Sequence, residues 1–198
     1  MTDTISDSTP ETPSVLIVED EQDLADLYTA WLSESYSVKT AYNGEQALDA
    51  LDECIDVVLL DRRMPGLSGD EVLEYIRSQG YDIRVAIVSA VTPDVNVIDM
   101  GFDDYLVKPV DSTELHDAVE QMLARSRVDA TTRELAQLMT KKATIEAELS
   151  QSKLQEHDEY RQLQRRIEAL QTETEELHKE FGEEDFRALF RDMGCAHD

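Results

Sequence analysis

This chain of 198 residues predicts a doubly wound α/β fold, with five parallel strands and helices on both faces, followed by an all-α extension. Three observations predict it. Short apolar runs alternate with amphipathic helical spacing five times between Ser14 and Arg125, the pattern of a parallel sheet built from strand–helix units. The run Val57–Leu60 is apolar throughout, and Ile83–Val88 is so but for Arg84, as suits strands covered on both faces. Finally, the 72 residues from Val110 to Phe181 hold neither proline nor glycine, so nothing in them interrupts a helix.

Residues 1–13 are mostly Thr, Ser, Asp, Glu and Pro and read as a disordered leader. Val15–Val18 is the first strand and ends in Glu19-Asp20. Glu21–Ser33 places Leu24, Leu27, Tyr28, Trp31 and Leu32 at helical spacing. Tyr36–Ala41 alternates as a second strand, Asn43-Gly44 reads as a turn, and Glu45–Leu51 as a short helix. The central strand Val57–Leu60 stops abruptly at Asp61, and Pro65 and Gly66 force a loop after it. Asp70–Arg77 carries Val72, Leu73 and Ile76 on one helical face. Ile83–Val88 is the fourth strand and ends at Ser89. Pro93–Met100 is a weak helix, and Tyr105–Val107 a short strand ending in Lys108-Pro109. The next helix opens on Asp111, with Glu114 three residues on as in a capping box. Leu115, Ala118, Val119, Met122 and Leu123 form its apolar stripe.

Beyond it the apolar spacing becomes heptad-like. Leu135, Leu138, Ile145 and Leu149 form one set, with Lys142 as its polar exception. Leu163, Ile167, Leu170, Leu177 and Phe181 form another, with Thr174 as its exception. Ser150–Glu159 between them is nearly all polar, and the spacing from Ser152 to Leu163 is that of a stutter. Either one long coiled coil runs through this patch or the chain folds back near His157-Asp158. The lack of turn residues favours the long helix. Gly182 ends it, and Phe186, Leu189, Phe190 and Met193 mark a short tail helix. The expected division is a leader at 1–13, an α/β domain at 14–126 and a helical extension at 127–198.

Acidic residues number 44 against 18 basic ones, a formal net charge of −26. Such a surface repels nucleic acid and anionic membranes at ordinary salt. It fits a halophile's interior, where molar salt shortens the Debye length to ~3 Å and screens the self-repulsion. Cys54 and Cys195 lack metal-ligand spacing and read as reduced thiols. With no apolar run of membrane-spanning length and no signal-peptide pattern, the expected location is the cytoplasm.

The strand ends bring Glu19, Asp20, Asp61, Ser89 and Lys108 to one sheet edge, where ligands bind in open α/β sheets. Clustered carboxylates repel one another unless a cation joins them. Hard oxygen donors in a small site suit Mg²⁺. Lys108 supplies a point charge and Ser89 a hydroxyl. Together these are the parts for moving a phosphoryl group onto a carboxylate.

The segments V-L-I-V-E-D-E, V-V-L-L-D-R-R-M-P-G-L-S-G, A-I-V-S-A and D-D-Y-L-V-K-P resemble the receiver domain of two-component response regulators, from about Ser14 to Arg125. The resemblance implies a flavodoxin-like sheet of strand order 2-1-3-4-5. It makes Asp61 the acceptor of phosphate from a sensor histidine kinase. It implies Mg²⁺ held by Asp20, Asp61 and the backbone carbonyl of Arg63, with Glu19 in the outer shell. It also implies Lys108 on the phosphoryl oxygens, and Ser89 and Tyr105 as the residues that move on phosphorylation. The side chains of Arg62 and Arg63 read as a solvated loop.

The remainder resembles the helical HalX-type extension of haloarchaeal regulators. It carries 21 acidic against 12 basic side chains over residues 110–198 and no basic recognition helix. DNA as a partner therefore gets no support from charge, while a homodimer through the receiver face or the extension does fit the heptads. The expected role is signal output, with transcription as one target and no enzymatic turnover. A metal-dependent phosphatase using Asp61 as nucleophile is the rival; it usually needs a second acid two residues on, where Arg63 stands. A receiver that only binds other proteins is a further alternative.

Overall fold

The computed structural model describes residues 12–93, 100–148, 154 and 157–181. The leader up to Glu11, most of the weak helix after Pro93, most of the polar stretch before His157, the tail helix and Cys195 lie outside the described residues. The chain divides into two compact units, Met1–Leu123 and Ala124–Asp198.

In the first unit, β1 (Ser14–Val18), α1 (Gln22–Leu32), β2 (Ser37–Ala41), α2 (Gly44–Ala50), β3 (Val57–Leu60), α3 (Gly69–Gln79), β4 (Arg84–Ser89) and β5 (Asp104–Val107) follow one another. The strands form one sheet of order β2-β1-β3-β4-β5, every pair parallel. The expected sheet and its order are thus both present. α4 (Ser112–Glu148) closes the unit and extends into the second one.

Strand alternation divides the core in two. Leu16, Val18, Val58, Leu60, Val85 and Ile87 pack on one face against Ala47 of α2 and Val72, Leu73 and Ile76 of α3. Val15, Ile17, Val57, Leu59, Ala86 and Val88 pack on the other against Tyr28 and Leu32 of α1 and Leu115, Val119 and Met122 of α4. Successive residues from Val15 to Val18 and from Val57 to Leu60 therefore serve opposite layers, which is why both runs are apolar at every position. Each fully buried aliphatic side chain contributes about 1.5–3 kcal/mol.

Helix starts follow their capping chemistry. Asn43 is the cap of α2 and its side chain accepts from Gln46 N at 2.9 Å, so Asn43-Gly44 begins a helix rather than making a separate turn. Ser68 and Glu71 form a full capping box on α3, and Gly80 ends that helix with φ 74°. At α4, Asp111 accepts from Glu114 N and Glu114 reaches back to Asp111 N, both at 2.9 Å, as the spacing predicts.

The second unit corrects the expectation of one continuous helix. α4 spans Ser112–Glu148 and α5 (Asp158–Phe181) begins at the last residues of the polar stretch. Arg166 on α5 bonds both oxygens of Glu134 on α4 at 2.9 and 2.8 Å, and the Tyr160 hydroxyl donates to Glu146. These two pairings run in opposite directions along the chain, so the unit is an antiparallel hairpin. Tyr160, Ile167 and Leu170 on α5 are buried, as is Leu154 ahead of it. A straight coil would leave a polar stretch in its seam, whereas folding back sets one apolar stripe against the other. Among the described residues no helix is long and apolar enough to cross a membrane.

Candidate functional site

Backbone ladders carry the site residues one step past their strands. Glu19 N donates to Ala41 O at 3.0 Å, Asp61 N to Val18 O at 2.8 Å and Lys108 N to Ser89 O at 2.8 Å. The ends of β1, β3 and β5 are therefore pinned to neighbouring strands, and their side chains meet at one edge.

The carboxylates of Glu19, Asp20 and Asp61 offer oxygens that all lie within 4.8 Å of one another. Glu19 is 1% exposed and Asp61 7%. Lys108 Nζ reaches into this cluster, 2.6 Å from Glu19 Oε2 and 2.9 Å from Asp61 Oδ2. The other oxygens take backbone donors: Glu21 N to Glu19 Oε1 at 3.4 Å and Arg63 N to Asp61 Oδ1 at 3.1 Å. One ammonium thus faces two buried carboxylates with a third beside them.

Titration follows from this arrangement. Burial pushes Glu19 up to about 6; the Lys108 bond opposes the rise and the Asp61 charge adds to it. For Lys108, burial favours the neutral amine, but the bonds to Glu19 and Asp61 outweigh it and raise the ammonium above its usual value. The excess negative charge and the all-oxygen donor set fit a small hard cation such as Mg²⁺.

Two further site residues stand beside this centre. Ser89 is buried, and its Oγ accepts from Val91 N at 3.3 Å. Tyr105 is half-buried, packs edge-on against Phe102 and donates its hydroxyl to the Val91 carbonyl at 2.6 Å. Arg63 is exposed, as the loop reading expects. Arg62 is not: its side chain is 18% exposed and ion-paired with Asp70 at 3.0 Å. The sequence reading passed over Asp70 as a plain helix-start residue, and only the fold brings it to Arg62. A cleft of about 500 Å³ beside the carboxylates is lined by Asp20, Arg62, Met64, Ser68 and Asp70, among others.

Gly69 holds the loop in place. A Cβ there would meet Asp61 O at 2.1 Å and Arg62 Cα at 2.8 Å, so α3 starts directly against the backbone of the central carboxylate. The glycine's role was not separable in the sequence from the turn chemistry of Pro65-Gly66.

The comparisons agree with this geometry. The family model for the response regulator receiver domain matches residues 15–120. The chain belongs to that family. The HalX domain model matches residues 124–190, so the receiver is followed by a HalX domain. A Haloferax volcanii protein, named provisionally as a transcriptional regulator, is 46% identical over 162 residues, covering 81% of this chain and 28% of that protein. Response regulator ArlR of Staphylococcus aureus is 38% identical over 118 residues, covering 57% of this chain and 50% of its own length. This chain therefore spans half or less of the length of these relatives. Among solved structures, the response regulator TrrA of Thermotoga maritima, in complex with Mg²⁺ and beryllofluoride, is 33% identical. Its TM-score is 0.51, and the match covers 56% of this chain and 99% of that one. The HalX match and the Haloferax relative also agree with the haloarchaeal character read from the charge.

Proposed function

We propose that the receiver takes a phosphoryl group from a sensor histidine kinase onto Asp61 and passes the change to its HalX region. The observation that carries this is the meeting of Glu19, Asp20 and Asp61 within 4.8 Å, with Lys108 bonded to two of them. A carboxylate oxygen of Asp61 attacks phosphorus as the bond to the donor nitrogen breaks, and the electron pair of that bond stays with the imidazole, which takes up a proton. Asp20 and Asp61, the Arg63 carbonyl and Glu19 from further out are the groups that would hold Mg²⁺. When bound, the ion neutralises charge on the phosphoryl oxygens.

The chain's own residues supply the rest. Lys108 exchanges carboxylate partners for a phosphoryl oxygen. Ser89 presents its hydroxyl at the end of the neighbouring strand, and Tyr105 lies close enough to respond through Val91. Output through the HalX hairpin, acting in the cytoplasm on transcription by way of a homodimer or a partner protein, agrees with the name of the Haloferax relative. The experiment is incubation of the full chain with acetyl phosphate and Mg²⁺ in molar KCl, read by intact mass. One phosphoryl adduct is expected on the wild type and none on Asp61→Asn. Undiminished labelling of Asp61→Asn refutes the site.

A further inference from the structure

The loop from Arg62 to Asp70 is closed across its neck twice, once by backbone and once by side chain. The Arg62 carbonyl accepts from Gly69 N at 3.0 Å. The Arg62 guanidinium spans the same gap to the next residue. Its Nε donates to the two Asp70 oxygens at 3.0 and 3.3 Å, and a terminal nitrogen reaches Asp70 Oδ2 at 3.3 Å. A forked guanidinium on a carboxylate fixes direction as well as distance, which an ammonium on a flexible stem does less well.

The body of the loop is held from another side. Met64 is buried and Leu67 half-buried, both against the core layer under α2 and α3. A Cβ on Gly44, at the start of α2, would meet the Leu67 carbonyl at 2.5 Å, so the loop backbone lies directly on that helix. Between these anchors stands Arg63. Its N–H donates to Asp61 Oδ1 at 3.1 Å, and its carbonyl is one of the groups that would hold Mg²⁺. The Arg63 side chain is exposed, so what fixes that carbonyl comes from its neighbours.

We propose that Arg62 is a positioning residue for the metal: clamped to Asp70 across the neck, it sets the Arg63 carbonyl in place before the ion arrives. This rests on the reading of Asp20, Asp61 and the Arg63 carbonyl as the Mg²⁺ site. Mg²⁺ demands near-ideal octahedral geometry, so a donor that is free to move costs affinity. The Asp70 side chain is 45% exposed, and an ion pair that open adds little to global stability. Its effect is on the geometry of the loop.

Charge alone predicts the opposite for Arg62. A cation lining the same cleft as Asp20 repels Mg²⁺, so its removal should tighten binding. The sign of the change separates the two roles. Mg²⁺ is titrated calorimetrically, without phosphodonor and in molar KCl, into the full chain as wild type, Arg62→Met, Asp70→Asn and the double variant. Each single variant is expected to bind Mg²⁺ about tenfold more weakly, the low end for groups that orient a metal's ligands. The double variant should bind no more weakly than either single one, because both remove the same clamp. The Gly69 amide should exchange with deuterium faster in all three. Asp103→Ala, which breaks the pairing with Arg77 and Arg84 instead, should bind Mg²⁺ as the wild type does. The proposal is overturned if Arg62→Met binds Mg²⁺ as tightly as the wild type or more so, or if the two single losses add in the double variant. Unchanged exchange at Gly69, or an equal loss in Asp103→Ala, overturns it too. A wild type that binds no Mg²⁺ removes the metal site itself, and the proposal with it.

Discussion

Lys108 lies closer to Glu19, at 2.6 Å, than to Asp61, at 2.9 Å. Its ammonium is thus shared, and in the absence of a metal it is the counter-charge for two buried carboxylates. Removing one partner of a buried ionic group costs about 3–5 kcal/mol, since the remaining charges stay unpaired. Lys108→Met keeps the stem without the charge. Urea unfolding in molar KCl with EDTA should show a loss of about 3 kcal/mol, and saturating Mg²⁺ should recover part of it. Equal stability of the two proteins in EDTA would contradict the shared-charge account.

The raised Glu19 titration has a sign that can be measured. Its folded value of about 6 lies above the ordinary 4.5, so folding favours the protonated form. That contribution is present in full below 4.5 and is lost as pH rises through about 6. Between pH 7 and pH 5 in EDTA, the wild type should gain about 1 kcal/mol relative to Glu19→Gln. With Mg²⁺ bound the ionised carboxylates are favoured and the gain should vanish. A flat difference between the two proteins in EDTA would remove burial of Glu19 as the cause.

Gly69 offers a steric test. A methyl group there collides with the Asp61 carbonyl, at 2.1 Å, and nearby backbone has to move. Overpacking of this kind costs about 1–3 kcal/mol. Gly69→Ala should therefore lower the melting temperature. The folded protein should also label from acetyl phosphate at least about tenfold more slowly, the penalty of a misplaced nucleophile. Wild-type labelling would show that the loop adapts freely.

Asp103 lies before β5, at the sheet edge away from the site. Its carboxylate holds Arg77 at 2.7 Å, Arg84 at 2.8 Å and Val85 N at 2.8 Å. Asp103→Ala should cost about 3 kcal/mol by urea unfolding, because two half-buried guanidinium groups lose a partner. Labelling of the folded fraction should be unchanged, since none of these groups touches Asp61.

In the HalX hairpin, apolar contacts should outweigh ionic ones. The Arg166–Glu134 pair is about half exposed on both sides, at 53% and 42%, and such pairs contribute about 0.2–1 kcal/mol. Leu170 is 1% exposed, and truncating such a leucine costs about 2–5 kcal/mol. Arg166→Ala should barely change the helical signal on heating, whereas Leu170→Ala should lower the hairpin's transition clearly. The reverse ranking would mean that charge holds the two helices together.

Part of the site was legible because strand ends leave local marks. An apolar run that stops at Glu19-Asp20, Asp61, Ser89 or Lys108 announces both the end of a strand and a polar group at the sheet edge. Arg62 left no such mark. Its partner Asp70 stands across the Pro65-Gly66 loop, and two adjacent arginines in a loop look alike. Only the packing of α3 separates Arg62, held against Asp70, from the exposed Arg63. Gly69 was hidden for a similar reason, since a close backbone approach is a property of two segments and not of one.

The sequence by itself determined the five-strand α/β class, the edge on which the carboxylates and the lysine gather, and the acidic character that suits high salt. Periodicity and chain-breaking residues act over a few neighbours, so they can be read in order. Tertiary structure decided what depends on faces meeting: the return of α5 along α4, the sharing of Lys108 between Glu19 and Asp61, and the Arg62–Asp70 pair. In the extension the heptads suited a straight coil as well as a hairpin. Burial of Tyr160, Ile167 and Leu170, with α5 turned back along α4, is what selected the hairpin.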